Sequence, residues 1–86
     1  MIAETERFIQ LNKTMIRVVN AKKRYYKISL HYTLIGLFCV DRIYGACRNK
    51  KPTGRKREYF EDIQDAFNKF QTTIKTKESK GYIIAW

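Results

Sequence analysis

The chain has 86 residues, 44% of them hydrophobic and 14% aromatic, and a formal net charge of +10. This length limits the chain to one domain with a modest core of two packed layers, and this apolar content excludes a disordered chain. The longest uncharged stretch, residues 28–40, is too short and too polar to span a bilayer, and the N-terminus lacks the apolar segment of a secretory signal, so we expect a cytosolic protein.

The first third of the chain predicts two strands. Residues 1–13 have no clear period and are interpreted as an N-terminal arm, which leaves residues 14–86 as the domain. Residues 15–19 are rich in β-branched side chains and predict a short strand, followed by a turn at residues 20–23. In residues 24–32, successive side chains alternate between two faces, with Tyr26, Ile28 and Leu30 on one of them. This pattern predicts a half-buried antiparallel strand.

Two further strands flank a basic loop. Residues 37–44 are the segment richest in β-forming residues, and Gly45 is expected to end or kink the strand that they predict. Residues 55–60 predict a strand that pairs back onto it. Between Arg48 and Arg57 the chain has six basic residues and no acidic one.

Residues 62–80 predict an amphipathic helix that lies across the sheet. Asp62 suits the N-cap position of this helix, and Gly81 suits the position just past the C-terminal end of the helix. The spacing of apolar residues predicts a buried stripe formed by Ile63, Ala66, Phe67, Phe70 and Ile74. With residues 82–86 as a final strand or packed tail, the predicted fold class is α+β: a twisted antiparallel β-sheet of four or five strands with one helix on one face.

Several short motifs, taken in order, resemble the WGR domain, a small α+β module found in poly(ADP-ribose) polymerases and in short bacterial proteins. The motifs are RYYKISL at residues 24–30, L-x-G at 34–36, YGA at 44–46, A-x-x-x-F at 66–70 and K-x-x-K-G-Y at 77–82. The resemblance covers residues 15–83 and implies a DNA-binding module. Tyr44 and Ala46 replace the tryptophan and arginine that name the family. The resemblance implies that Tyr44 stacks on a sugar or base, while cations a few positions on compensate for the lost arginine.

The positive charge is concentrated before residue 61, where 14 basic residues accompany 4 acidic ones, whereas residues 61–86 have four of each. Such a one-sided excess indicates a polyanionic partner, most often nucleic acid. Together with the resemblance, it leads us to interpret the basic loop as a clamp for DNA phosphates that has little sequence specificity. The candidate nucleic-acid-binding residues are Tyr44, Arg48, Lys50, Lys51, Arg55, Lys56, Arg57, Arg42, Lys27 and Arg24. Tyr59, which follows the loop, adds a second flanking aromatic ring.

The basic residues allow other interpretations than a clamp for DNA phosphates. The loop could be a solvated hairpin tip, and the basic surface could instead dock an acidic protein partner or single-stranded RNA. Arg42 could pair with Asp41 or Glu58 across strands. A free strand edge or the N-terminal arm could support a homodimer.

We expect no enzyme, no cofactor and no metal site. A catalytic role through His31 or Cys47 is the less favoured alternative, because no nucleophile motif accompanies His31 and Cys47, although it lies beside Arg48 and Lys50, is more simply a surface thiol. The two cysteines are expected to be reduced thiols. Because exposed charges contribute little to folding, alanine at Arg55, Lys56 and Arg57 is expected to weaken DNA binding and leave thermal stability nearly unchanged.

Overall fold

The computed structural model describes residues 10–85, which form a five-stranded antiparallel sheet with one helix packed on one face. The strands are β1 (Gln10–Val19), β2 (Lys22–Tyr32), β3 (Phe38–Ala46), β4 (Gly54–Phe60) and β5 (Ile83–Ile84), and helix α1 spans Ile63–Ser79. The order across the sheet is β4-β3-β2-β1-β5. The α+β class, the antiparallel sheet and the single helix predicted from the sequence are confirmed.

Alternation along β2 separates the two faces of the sheet. Tyr26, Ile28 and Leu30 are buried on the face covered by α1, which we call the helix face, while Lys27 is exposed on the opposite, open face. Directly opposite residues of antiparallel strands share a face. The register of β1, β2, β3 and β4 therefore shows on which of the two faces each of their residues lies. The remaining large core side chains come from β1, β3, α1 and the segment after α1: Met15, Val40, Phe70 and Tyr82.

Helix α1 begins and ends where the sequence predicts. At its start, the Asp62 carboxylate accepts a hydrogen bond of 2.8 Å from the Gln64 N–H. At its end, Gly81 adopts a φ of +99°, and the N–H groups of Gly81 and Tyr82 donate to the carbonyls of Glu78 and Lys77. This Schellman motif turns the chain so that Tyr82 enters the core and β5 pairs with β1.

The buried stripe of α1 differs from the predicted one at two positions. Ile63, in the first turn, is 38% exposed, whereas Thr73 is buried. Thr73 is accommodated in the interface because its hydroxyl donates to the Lys69 carbonyl at 2.7 Å. Phe67 and Ile74 are only partly buried, so Ala66 and Phe70 are the central contacts of α1 with the sheet.

Strand β1 is longer than predicted. It begins at Gln10, and residues 10–13 pair with residues 28–31 of β2, so part of the predicted arm belongs to the sheet. The sequence does not predict this part of the strand, because its side chains lie at the edge of the core and are exposed. Apolar and polar residues therefore do not alternate regularly there. Residues 1–9, the rest of the predicted arm, and Trp86 lie outside the described residues.

Strand β3 continues through Gly45 to Ala46, although Gly45 was expected to end or kink it. Gly45 is buried, and a Cβ atom added there would lie 2.9 Å from the backbone nitrogen of Thr53. The glycine therefore permits a close approach of the basic loop to the end of the sheet, without ending the strand.

Candidate nucleic-acid interface

Two cation-rich segments meet at one end of the sheet. The β1–β2 turn and the β3–β4 loop both lie at this end because the strands run antiparallel in the order β4-β3-β2-β1. The Cys47 N–H donates to the Lys23 carbonyl at 2.9 Å, and Arg24 lies directly opposite Ala46. We call this surface the basic end and define it by six residues: Lys22, Lys23, Arg24, Arg48, Lys50 and Lys51.

A concave surface of about 470 Å³ lies between the two segments. It is lined by residues 21–24 and 46–48, and four of these residues are cationic while none is acidic. A concave surface with charge of one sign raises the local concentration of anions. Whether the cations at residues 22–24 join the basic loop could not be decided from the sequence, since it depends on the strand register.

The basic loop is anchored at both ends by backbone hydrogen bonds. The Asn49 N–H donates to the Ala46 carbonyl at 3.1 Å, and the Thr53 N–H donates to the Tyr44 carbonyl at 2.8 Å. Arg48, Lys50 and Lys51 lie between these anchors with exposed side chains. Within residues 10–85, none of the three forms an ion pair, so their charges are available to an external anion.

Tyr44 is half-buried on the helix face beside the basic loop. Its ring packs nearly parallel to that of Tyr26, with centroids 5.8 Å apart and an angle of 11° between the planes. It also leans over Gly54, where an added Cβ atom would meet the phenol ring. Much of the ring surface is therefore used in packing, and stacking of Tyr44 on a nucleotide stays a prediction.

Arg55 and Arg57 lie on the open face and bind Asp41. Arg55 donates to both carboxylate oxygens of Asp41, at 2.7 and 3.2 Å, and Arg57 Nε lies 3.7 Å from Oδ2. The hydrogen bonds from Arg55 lower the pKa of Asp41 below its ordinary value, against the opposing effect of burial. Both arginines are about half exposed, so they stabilise the sheet and still present charge to solvent.

Lys27 and Arg42 belong to the same sheet, as predicted, but lie on opposite faces. Lys27 is opposite Ile43 on the open face, whereas Arg42 is opposite Ile28 on the helix face. Arg42 donates to Glu58 at 3.1 Å, which is one of the two structural pairings left open by the sequence. The other pairing, with Asp41, is not formed.

The two aromatic residues expected to flank the loop do not converge. Tyr59 is exposed on the open face opposite Cys39, near the far end of β4, whereas Tyr44 is on the helix face beside the loop. The sequence places Tyr59 two residues after Arg57, but those residues belong to an extended strand that leads away from the loop.

A cleft of about 440 Å³ opens between α1 and the helix face of the sheet. The sheet contributes the predicted residues Arg24, Arg42, Tyr44 and Lys56 to its lining, and α1 contributes Lys69 and Lys77. Cations therefore lie on the helix face of the sheet as well as on the open face, where Lys27, Arg55 and Arg57 are found. Lys69 and Lys77 were missed because residues 61–86 have no net charge, although their spacing of eight residues places them on one helix face.

Two features with functional meaning are absent from the described part of the chain: a membrane-spanning helix and a cluster of metal-binding side chains. Among residues 10–85, no helix is long and apolar enough to cross a membrane. The same residues contain no group of three side chains that could hold a metal ion.

The fold and the distribution of cations define a small α+β module with a cationic surface at one end of its sheet. The WGR domain model matches residues 9–85, and the chain belongs to the WGR domain family, as the motifs had indicated. The WGR domain is a nucleic-acid-binding module in poly(ADP-ribose) polymerases and is not a catalytic domain. A search of curated proteins and a search of solved structures each give no match.

Proposed function

We propose that this WGR domain binds DNA through the phosphate backbone, with little sequence specificity and without catalysing a reaction. The observation that supports the proposal most is the convergence of two cation-rich turns at the basic end. Arg24 lies on the strand next to Ala46, on the same face, so a neighbouring strand supplies a guanidinium beside the position where the family has its arginine.

The composition of the basic end favours phosphates over bases. Lysine and arginine side chains on exposed turns can settle against a nucleic-acid backbone, but they read no sequence unless they enter a groove. Arg48, Lys50 and Lys51 are exposed and form no ion pair within residues 10–85. Contact of these side chains with DNA phosphates would therefore break no ion pair of the fold.

The proposal is tested by a pair of variants with equal loss of charge. In the first, Lys50→Gln and Lys51→Gln neutralise two exposed lysines of the basic loop. In the control, Lys13→Gln and Lys75→Gln neutralise two exposed lysines that lie away from the basic end, in strand β1 and helix α1. Loss of two phosphate contacts is expected to weaken duplex binding on the order of tenfold in the loop variant, with little change in the control.

Gel shifts with blunt, nicked and single-stranded DNA, and with single-stranded RNA, show which form is preferred. Equal weakening in both variants would contradict the site assignment, because binding would then follow net charge alone. No binding to any of the four nucleic acids, with retained binding to an acidic protein, would replace the proposal by the protein-docking alternative.

A further inference from the structure

We propose that two copies of this chain form a two-fold dimer in which the turn between β2 and β3 of each copy fills an apolar groove of the other. Neither the turn nor the lining of the groove includes a residue of the basic end. The proposal therefore does not depend on DNA binding.

The turn between β2 and β3 exposes two large apolar side chains, which we call the apolar tip. Leu34 is fully exposed and Ile35 is 75% exposed, and neither belongs to the core. The apolar tip lies at the end of the sheet opposite the basic end, because β2 ends and β3 begins there. Contact with a second apolar surface would remove both side chains from water, which is favourable.

Backbone hydrogen bonds hold the turn in one conformation. The Thr33 N–H donates to the Leu37 carbonyl at 2.8 Å, and the Leu37 N–H donates to the Thr33 hydroxyl at 3.1 Å. The Gly36 N–H donates to the Thr33 carbonyl at 3.2 Å. Because the turn is already ordered, docking of the apolar tip costs little further conformational entropy.

An apolar groove of about 480 Å³ lies between α1 and the first half of β1. Leu11 is 38% exposed and Ile84 is 44% exposed, so the groove opens to the surface. The volume lies within the range of small-molecule sites, about 300–1,000 Å³, and leaves room for two branched aliphatic side chains. The apolar residues that line the groove are Leu11, Phe67, Phe70, Ile74 and Ile84.

The charges beside the apolar tip complement those of the groove. Three of the four exposed carboxylates within residues 10–85 follow β4 at the same end of the sheet as the tip: Glu61, Asp62 and Asp65. The groove is lined by Lys13 and Lys75 and by one carboxylate, Glu78, so its net charge is positive. Insertion of the tip of one copy into the groove of the other therefore brings opposite charges together.

A second copy suits the apolar tip better than a lipid surface does. Anionic headgroups attract lysine and arginine, whereas the exposed charges that accompany the tip are carboxylates. Two chains with a net charge of +10 also repel each other least at this end, since the basic end points away. A two-fold contact uses the tip and the groove of both copies and forms a closed dimer.

The test is sedimentation of the full chain, without nucleic acid, over a wide range of protein concentrations. The parent protein is expected to change from monomer to dimer as the concentration rises. In the tip variant, Leu34→Thr and Ile35→Thr make the apolar tip polar. In its control, Val18→Thr and Val19→Thr make a similar change at two adjacent exposed residues near the basic end.

Each tip residue is buried twice in a two-fold dimer, so its loss counts twice. The tip variant is expected to raise the dissociation constant of the dimer at least about a hundredfold, with little change in the control. Thermal melts establish that both variants are folded, and the tip variant is expected to keep its affinity for duplex DNA.

A second pair of variants tests the groove. Gln71→Arg places a long cationic side chain in the lining of the groove, and Asn68→Arg makes the same change at an exposed residue of α1 outside it. Only Gln71→Arg is expected to weaken the dimer, because it obstructs the groove and repels nothing elsewhere on the partner.

Three results would overturn the proposal. The first is a parent protein that stays monomeric at every concentration, which would leave the groove to residues 1–9 of the same chain or to a different protein. The second is equal weakening of the dimer in the tip variant and its control, or in Gln71→Arg and Asn68→Arg. The third is growth beyond the dimer, which would indicate an open head-to-tail contact in place of the two-fold one.

Discussion

Asp41 is a buried carboxylate in the centre of a basic sheet. Its side chain is 9% exposed and is held by Arg55 and, at longer range, by Arg57. Alanine at residues 55–57 would remove both partners and leave a buried charge unpaired, which is destabilising. The expectation that this triple change spares thermal stability is therefore replaced by an expected loss of stability, and variants of the basic loop are the cleaner probes of DNA binding.

The pair of Asp41 with Arg55 predicts a specific dependence of stability on pH. The folded pKa of Asp41 lies below its ordinary value of 3.8, so the pair stabilises the fold above this value, and the contribution disappears as pH falls through the folded pKa. Asp41→Asn is expected to lower the free energy of unfolding at pH 7, with a deficit that shrinks below about pH 4.

Urea unfolding from pH 7 down to pH 2.5 measures this dependence. Asp65→Asn, which removes a carboxylate exposed on the first turn of α1, serves as the control and is expected to have the smaller effect at pH 7. A deficit of Asp41→Asn that stays constant down to the lowest pH would contradict the assigned role of the charge.

At the scale of elements, the exit of helix α1 determines where the chain rejoins the sheet. Gly81 has a positive φ of +99°, and an added Cβ would only reach ordinary contact with Arg17, at 3.6 Å, so the constraint is conformational and not a lack of space. The turn leads Tyr82 into the core and β5 onto β1, which couples the helix end to the sheet edge.

Gly81→Ala is expected to destabilise the protein by about 1–2 kcal/mol, because an L-residue is strained at this φ. Gly81→Asn is expected to cost less, since asparagine tolerates positive φ better. Gln71→Ala, at an exposed position in the middle of α1, is the control for a change in helix composition. Chemical denaturation measures all three, and equal stability of Gly81→Ala and the parent protein would show that this turn does not constrain the fold.

At the scale of the whole molecule, the sequence predicted the architecture well because its signals are local. Alternation in β2 identifies Tyr26, Ile28 and Leu30 as core residues, and caps at Asp62 and Gly81 mark the ends of α1. The strand at residues 10–13 could not be recognised in this way, because its exposed residues lack the alternation that burial imposes.

The arrangement of the candidate site was less predictable, because it depends on register and on which part of the sheet the helix covers. Alternation alone shows that Arg55 and Lys56 lie on opposite faces, but it does not show that Lys56 shares a cleft with Lys77. Likewise, nothing local links Arg24 to Ala46, which are 22 positions apart in the sequence and adjacent only through pairing of β2 with β3.

The central claim is that cations at the basic end bind the nucleic-acid backbone, and the salt dependence of duplex affinity tests it most directly. With about five phosphate contacts, the logarithm of the association constant is expected to fall against the logarithm of salt concentration with a slope of about −4 to −5. The slope is expected to become shallower by about 2 when Lys50 and Lys51 are changed to glutamine, and to stay unchanged when Lys13 and Lys75 are. A parent slope near zero, or one that the loop variant leaves unaltered, would contradict the claim.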